Sequence, residues 1–213
     1  MINSMEIQMK SRMQRDERFN NILDAGEKLF LQQGYAETTF KKIAEACEVT
    51  RPVVYEHFQR KEELFLECAK RARNHFDREL SEAISNAKNA AFEEIIYAAA
   101  DVFFRMLETN PKRWMMLFGS SLITNTYLSA GLNELRASTI EIIARMMSAH
   151  LSGRHDRSSI TMVAYAISGV GEQIGQWWLR NPDKTRHQIV ENYVKMVTGG
   201  ITSTLDIKAI TND

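Results

Sequence analysis

Residues 39–64 read TFKKIAEACEVTRPVVYEHFQRKEEL, and the apolar positions of this stretch fit two short helices joined by a tight turn. One face of the first helix consists of side chains at i, i+3, i+4 and i+7, namely Phe40, Ile43, Ala44 and Cys47. Thr38 or Thr39 caps its first turn with a side-chain oxygen. Thr50 precedes a second helix at Arg51-Pro52, because proline is tolerated in a first turn. The stretch therefore predicts a helix-turn-helix unit.

The second helix of this unit has an inner and an outer face. Val54 and Phe58 lie four residues apart and are expected to pack on the first helix. The remaining positions face wholly or partly outward: Arg51, Pro52, Val53, Tyr55, Glu56 and His57. In helix-turn-helix proteins the second helix enters the major groove of DNA. The outer face therefore predicts contacts to double-stranded DNA.

The run from Gly34 to Leu64 resembles the DNA-binding domain of the TetR (tetracycline repressor) family of bacterial transcription regulators. The residues that carry the resemblance are Thr39, Ile43-Ala44, Val49-Thr50-Arg51, Tyr55, His57-Phe58 and Lys61-Glu62-Glu63-Leu64. The rest of the chain resembles the family only in size and in its helical pattern. The resemblance implies a homodimer that binds a palindromic operator and responds to a small molecule.

The resemblance also implies roles for individual residues at the DNA. Lys41 and Arg51 reach bases or phosphates, and arginine can bind guanine O6 and N7 with two hydrogen bonds. Pro52 and Val53 touch thymine methyl groups or sugar. The residues implied at the phosphate backbone are Tyr55, His57 and Lys61, and Thr39 and Thr50 complete the predicted set. Arg51 is thus the predicted specificity residue and Lys61 the predicted phosphate anchor.

Several of these positions also have a simpler interpretation. Tyr55 is then only a packing residue, His57 only caps its helix, and Lys41 is solvated surface. For Glu56 we expect solvent rather than a contact to cytosine. Two positions depart from the family pattern, because Pro52 replaces the commoner glycine and Glu48 lies where such turns need positive φ. A non-glycine residue in that conformation costs about 1 kcal/mol.

The charge of the chain is balanced, with 27 Lys and Arg against 27 Asp and Glu. A generally positive surface that binds DNA without sequence preference is therefore not expected, and binding must depend on locally placed cations. The N-terminal arm, residues 1–14, contains Lys10 and Arg12, with Arg15 beside it. A flexible basic arm tracks phosphates or enters a minor groove, although a solvated tail has the same composition.

Helical periodicity dominates the whole chain, and the predicted fold class is all-α with about nine helices. A stripe from Phe19 to Phe30 ends at Gly34 and completes a three-helix DNA-binding domain over 15–60. A larger helical bundle for ligand binding and dimerisation is predicted over 61–213. Its helices are expected at about 61–86, 92–108, 114–118, 128–151, 158–180 and 185–205, with Ser152-Gly153 ending the fourth of these.

Small residues form a stripe along the penultimate helix of this bundle. They are Ala164, Ser168, Gly171 and Gly175, at i, i+4, i+7 and i+11. With Tyr193 and Val197 of the last helix, they predict a four-helix interface across a two-fold axis. Packing within one chain is the alternative explanation of the same stripe.

The middle helices of the bundle are rich in methionine and aromatic residues, which suit an adaptable apolar cavity. The resemblance implies a small-molecule pocket here, for an apolar or aromatic effector. The predicted pocket residues are Phe103, Trp114, Phe118, Met147, Tyr165 and Glu172. An ordinary hydrophobic core is the alternative for each of them.

Other classes of protein find little support in the sequence. It has no glycine-rich phosphate loop and no metal-ligand spacing among its five histidines, so no catalytic residue, metal site or cofactor is predicted. Its apolar runs are too short to span a bilayer, and Cys47 and Cys68 look like reduced core residues of a cytoplasmic protein. The sequence therefore favours a ligand-responsive repressor. The alternative is a DNA-bound coactivator or scaffold that recruits a protein partner without a small ligand.

Overall fold

The computed structural model describes residues 4–119, 125–150 and 156–204, with the side chains from residue 14 onward. Within these ranges the chain forms nine helices and no strand, which confirms the all-α prediction. The helices are α1 (Ser4–Glu37), α2 (Phe40–Ala46), α3 (Arg51–His57), α4 (Lys61–Asn86), α5 (Phe92–Thr109), α6 (Pro111–Phe118), α7 (Thr126–His150), α8 (Arg157–Arg180) and α9 (Arg186–Thr204). No described helix is both long and apolar enough to cross a membrane. The predicted stop at Ser152-Gly153 lies outside the described residues.

The chain divides into two compact units, residues 1–71 and 72–213. The division falls inside α4, later than the predicted boundary between residues 60 and 61, and the functional domain limits stay a prediction. α1 begins at Ser4, so helix covers most of the segment predicted as an arm over 1–14. The side chains of Lys10 and Arg12 lie outside the description, and contact of the arm with DNA also stays a prediction.

The first unit is a three-helix domain closed by the start of α4. Gly34 has φ 84° and breaks the helical run of α1, at the position where the sequence predicts its end. Gly26 lets α4 approach α1, because a Cβ there would lie 3.1 Å from Leu64 Cδ2. Arg71 ties the same two helices together with 2.6 Å ion pairs to Asp24 and Glu27. The apolar core contains Ile22, Leu23, Phe30, Phe40, Ile43, Ala44, Val54, Phe58, Leu64, Phe65 and Cys68.

The second unit is a helical bundle in which α5 packs against α9 and α7 packs against α8. Its polar side chains fix helix ends and crossings. Tyr193 donates a 3.0 Å hydrogen bond to the carbonyl of Ile167, which joins α9 to α8. Arg186, at the start of α9, bonds Asp101 and Glu108 of α5 at 3.1 and 3.2 Å. These contacts hold α5, α8 and α9 around a shared core.

Candidate nucleic-acid interface and ligand cavity

The turn between α2 and α3 sets the position of the predicted recognition helix. Thr39 is the N-cap of α2, and its hydroxyl accepts a 3.3 Å hydrogen bond from the Lys42 amide. Glu48 has φ 57° and is the only non-glycine residue with positive φ among the described residues. The left-handed conformation predicted at Glu48 is therefore present. Thr50 takes the N-cap position of α3, without a side-chain capping bond.

α3 presents a well-defined outer face. Val54 is fully buried and Phe58 is 3 % exposed, which confirms the predicted inner face. The side chains of Arg51, Pro52, Tyr55 and Glu56 are exposed, and those of Val53 and His57 are half-buried. We call this set, together with Thr39, Lys41 and Thr50, the α3 surface. It contains every residue of the predicted DNA set except Lys61.

The side chains of this surface differ in how firmly they are held. Tyr55 packs edge-on against Phe40 with ring centres 4.9 Å apart, so its ring position is fixed while its exposed part faces solvent. Lys41 pairs with Glu45 at 3.8 Å, and both side chains are largely exposed. Arg51 makes no hydrogen bond or ion pair with any described residue. Its guanidinium is thus available to a partner.

His57 lies at the end of α3 beside the ring of Phe19, with ring centres 6.1 Å apart. Burial lowers the pKa of His57 below its usual value, and the nearby cations Arg15 and Arg18 lower it further. The imidazole is therefore largely neutral near pH 7, and it offers a ring N–H donor rather than a positive charge.

Lys61 occupies a different environment from the one expected of a phosphate anchor. Its ammonium donates to the carbonyl oxygens of Tyr35 and Ala36 at 2.8 and 3.4 Å. These bonds link the first residue of α4 to the segment that follows the Gly34 break. Lys42 makes similar bonds, to Gln33 and to the carbonyl of Glu37.

A cavity of about 50 Å³ lies inside the second unit. Residues of α4 to α9 form its walls, which are mainly apolar. Thr139, Ser168 and Tyr193 are the wall residues whose side chains carry a hydroxyl group. Of the predicted pocket residues, Phe103 and Phe118 line it. Trp114 and Met147 are fully buried and Glu172 is 7 % exposed, but none of these three is part of its walls.

The prediction for Tyr165 differs from the structure. Its side chain is 55 % exposed, on the side of α8 that faces away from the bundle, so it is outside this cavity. Glu172 is engaged by its neighbours, since Arg136 and Ser168 donate to its carboxylate at 2.7 and 3.1 Å. Burial raises the pKa of Glu172 above its usual value, while Arg136 opposes the shift.

The residues of the predicted dimer stripe lie inside the unit rather than on a surface that a second copy could contact. Ala164, Gly171, Gly175, Tyr193 and Val197 are buried within the unit, and Ser168 is half-buried. A Cβ on Gly175 would lie 2.5 Å from the ring of Trp114, and one on Gly171 would lie 3.5 Å from Tyr193. The stripe therefore accommodates aromatic side chains of the same chain, which is the alternative explanation of its small residues.

The opposite side of α8 carries exposed apolar side chains, of which the sequence singled out only Tyr165, as a pocket residue. They are Met162, Tyr165, Val170 and Trp177, and Met196 is exposed in the same way on α9. Gly169, Gly199 and Gly200 have open space where a Cβ would lie. We call this set the α8–α9 face. The α8 residues recur at i, i+3, i+8 and i+15, a helical spacing that the sequence does show.

Arg73 of α4 was also missed. It is fully buried beside the cavity wall, and burial lowers its pKa to about 10, so it remains a cation near neutral pH. The sequence signal is that Arg73 interrupts an apolar helical face formed by Ala69, Ala72, Phe76 and Leu80.

The described part of the chain contains no group of three or more residues that could hold a metal ion. A helix-turn-helix unit with an exposed second helix, followed by a helical unit with its own cavity, defines the class of two-domain transcription regulators that bind DNA. Two family models match the chain, "Bacterial regulatory proteins, tetR family" over residues 22–68 and "Tetracyclin repressor-like, C-terminal domain" over residues 92–200. The chain belongs to the TetR family.

Individual relatives agree with this assignment. The chain is 23 % identical over 193 residues to the HTH-type transcriptional activator FasR of Mycolicibacterium smegmatis, covering 90 % of this chain and 86 % of that protein. The fold is similar to that of the regulator FadR from Bacillus subtilis in complex with stearoyl-CoA, with TM-score 0.71, 18 % identity and coverage of 86 and 99 %. It is also similar to AibR in complex with isovaleryl coenzyme A and operator DNA, with TM-score 0.58, 22 % identity and coverage of 84 and 97 %.

Proposed function

We propose that this DNA-binding regulator is a repressor that binds a palindromic operator as a homodimer and releases it when an acyl-coenzyme A binds the second unit. The observation that carries the proposal is the position of the cavity against α4. Phe76, Leu80 and Ile84 of α4 line the cavity, and the same helix begins at Lys61 within the first unit. One continuous helix is thus part of both the DNA-binding unit and the cavity wall.

At the operator, the α3 surface supplies the contacts. Arg51 is exposed and free of intrachain partners within the described residues, so it can form two hydrogen bonds to guanine. Pro52 and Val53 suit thymine methyl groups or sugar. Contacts to the sugar-phosphate backbone are assigned to Thr39, Lys41, Thr50, Tyr55 and His57, and Glu56 faces solvent. Lys61 instead positions the start of α4.

The homodimer is assigned to the α8–α9 face rather than to the small-residue stripe. The face exposes Met162, Tyr165 and Trp177 on α8 and Met196 on α9. Exposed apolar side chains grouped in this way mark protein–protein interfaces. Its glycines leave room for helices of a second copy to approach closely. Two copies present two α3 helices, and half-sites about one DNA turn apart, or a multiple of that, then form a palindrome.

The effector is assigned to the acyl-coenzyme A class for two reasons. FadR and AibR, which share the fold, bind stearoyl-CoA and isovaleryl coenzyme A. The cavity of this chain has apolar walls that suit an acyl chain, although its volume of about 50 Å³ is smaller than most ligand pockets. Binding must therefore enlarge it by moving side chains or helices.

Enlargement of the cavity gives a route to the DNA-binding unit. An acyl chain that displaces Phe76 or Leu80 pushes on α4, and a shift of α4 alters the spacing of the two recognition helices in the dimer. The ligand lowers operator affinity only to the extent that it prefers the shifted conformation. This mechanism involves no catalytic step. The proposed place of action is the bacterial cytoplasm, where the chromosomal DNA lies.

Titration with acyl-coenzyme A tests the proposal. Genomic DNA fragments that the purified protein retains at physiological salt are sequenced, and the dissociation constant for the recovered site is measured with isovaleryl-CoA, decanoyl-CoA or stearoyl-CoA. We expect a palindromic site and at least tenfold weaker binding with one of the three. Coenzyme A alone is the control, and unchanged affinity with all three contradicts the proposed effector.

One observation favours a second candidate, an activator that recruits a protein partner. The relative from Mycolicibacterium smegmatis is named a transcriptional activator and covers most of the chain. In vitro transcription from the recovered site separates the two. A repressor lowers transcript yield without ligand, whereas an activator raises it.

A further inference from the structure

The side chain of Arg73 is the most unusual polar group in the second unit. It is 0 % exposed, and no carboxylate oxygen of a described residue lies within 4 Å of its nitrogens. A buried cation normally has an anionic partner, because removing the charge from water is costly. Packing alone does not explain why an arginine occupies this position.

The hydrogen bonds of Arg73 use only some of its N–H groups. Nη1 donates to Thr139 Oγ1 at 3.0 Å and Nη2 donates to the carbonyl oxygen of Leu117 at 3.1 Å. Nε is buried and has no acceptor. Both acceptors are uncharged, and an unsatisfied buried donor is destabilising.

Three charged groups act electrostatically on Arg73, namely Asp77 on its own helix, Arg136 on α7 and Glu172 on α8. Asp77 is reached only through Thr139, whose hydroxyl donates to Asp77 Oδ1 at 2.6 Å. Arg136 and Glu172 are paired with one another at 2.7 Å. The two arginines and the two carboxylates of this cluster therefore have no net charge together. The unsatisfied Nε of Arg73 needs a hydrogen-bond acceptor, and this acceptor does not have to be charged.

Arg73 is in contact with the cavity wall at two points. Its guanidinium carbon lies 4.3 Å from the ring centre of Phe118, and its Nη1 bonds Thr139. Phe118 and Thr139 both line the cavity. A cavity that enlarges by displacing the Phe118 ring therefore extends toward the guanidinium.

We propose that Arg73 is the polar anchor of the effector site, and that its Nε–H binds the carbonyl oxygen of an acyl group whose chain fills the apolar cavity. This inference rests on the proposed function, and it names the atom of the ligand that is recognised. A free carboxylate and a thioester both offer this oxygen. Because Arg73 is on α4, the anchor acts directly on the helix that continues into the DNA-binding unit.

Removing the carbonyl oxygen from the ligand is the sharpest test. The dissociation constants of isovaleryl-CoA, decanoyl-CoA and stearoyl-CoA are compared with those of the matching S-alkyl thioethers, which lack the carbonyl oxygen. Decanoate is measured beside decanoyl-CoA to separate the free acid from the thioester. The proteins are the wild type, Arg73→Met and the control Arg105→Met, which removes an arginine paired with Asp101 on α5.

We expect the wild type and Arg105→Met to bind the thioester about tenfold or more tightly than the thioether, because a hydrogen bond to a charged donor is lost. Arg73→Met should bind both with the same, weaker affinity. If Arg73→Met does not fold, Arg73→Leu, which also removes every side-chain N–H donor, takes its place. Equal affinity of the wild type for thioester and thioether overturns the carbonyl contact.

The outcomes also separate this inference from the proposed function. If Arg73→Met, or Arg73→Leu in its place, keeps the full preference for the thioester, Arg73 is not the anchor, while the acyl-coenzyme A effector stands. If no acyl compound binds the wild type, the effector class fails, and the anchor fails with it.

Discussion

The ammonium of Lys61 donates a 2.8 Å hydrogen bond to the carbonyl oxygen of Tyr35 and lies 4.1 Å from the centre of the Tyr35 ring. A second bond reaches the carbonyl of Ala36 at 3.4 Å. These contacts attach the start of α4 to the segment after Gly34. Lys61, which the resemblance implies at the phosphate backbone, thus makes intrachain contacts as well.

We expect Lys61→Met to lower the free energy of unfolding by about 1 kcal/mol, because the substitution removes a charge-assisted hydrogen bond at a half-buried site. The salt dependence of operator binding should stay unchanged. Urea unfolding and the slope of log Kd against log salt measure the two effects. Lys70→Met is the control, because Lys70 pairs only with Glu67 on the surface.

A phosphate anchor would behave in the opposite way. Unchanged stability of Lys61→Met together with a salt slope reduced by about one unit contradicts the positioning role.

The turn before α3 is strained at Glu48, whose φ is 57°. Glycine adopts this conformation without a Cβ penalty, so Glu48→Gly should raise the free energy of unfolding by about 1 kcal/mol. The same substitution three residues earlier, Glu45→Gly in α2, should lower it by about 1 kcal/mol, because glycine is unfavourable within a helix. Urea unfolding of both variants measures the contrast. A loss of stability in Glu48→Gly is the contrary result.

Arg51→Ala tests sequence recognition on the α3 surface. Loss of two hydrogen bonds to guanine should cost about 1 to 3 kcal/mol at the operator, with little change on unrelated DNA. Binding titrations on both DNAs at one salt concentration measure the ratio, and Lys41→Ala is the matched variant for a backbone contact. An equal loss on all sequences would make Arg51 a phosphate contact.

The α8–α9 face is tested by Trp177→Glu, because Trp177 is 45 % exposed in one chain and the substitution places a charge on this apolar face. In a dimer this charge is buried without a partner, so sedimentation should show mostly monomer. Met115→Glu is the control, because Met115 is also 45 % exposed but lies on α6. If Trp177→Glu sediments as a dimer like the wild type, the dimer interface is not the α8–α9 face.

The two cysteines should differ in reactivity. Burial raises the pKa of Cys68 to about 12, and Cys68 is 0 % exposed, so its thiolate is scarce and inaccessible. Burial and Asp24 raise the pKa of the half-buried Cys47 as well. At pH 8 a thiol reagent should modify Cys47 slowly and Cys68 only after unfolding. Rapid reaction of both thiols in the native protein would show that the first unit opens readily, and Cys47→Ser identifies the faster thiol.

Local patterns in the sequence are sufficient to predict the helix-turn-helix unit. Spacing of apolar residues indicates which side of α2 and α3 is inside, and the positive φ at Glu48 is what the resemblance to the family's turn implies. These features depend on residues close together in the chain. For that reason the sequence predicts them well.

The positions of Gly175 and Arg73 depend instead on distant residues. A stripe of small residues shows that something approaches α8 closely, but Trp114 of α6 occupies that space, and only the fold reveals this. The acceptors of Arg73 lie on Thr139 and Leu117, far along the chain. Periodicity identifies a helix face but does not identify the element that covers it.

In the proposed function, an acyl ligand in the second unit controls DNA binding by the first. Hydroxyl-radical footprinting of the recovered operator with increasing decanoyl-CoA, isovaleryl-CoA or stearoyl-CoA measures this control. We expect two protected half-sites related by a two-fold axis; one of these ligands should remove both protections together, and coenzyme A alone should not. A footprint that persists at saturating concentrations of all three ligands, or the absence of a palindromic footprint, would contradict the proposed function.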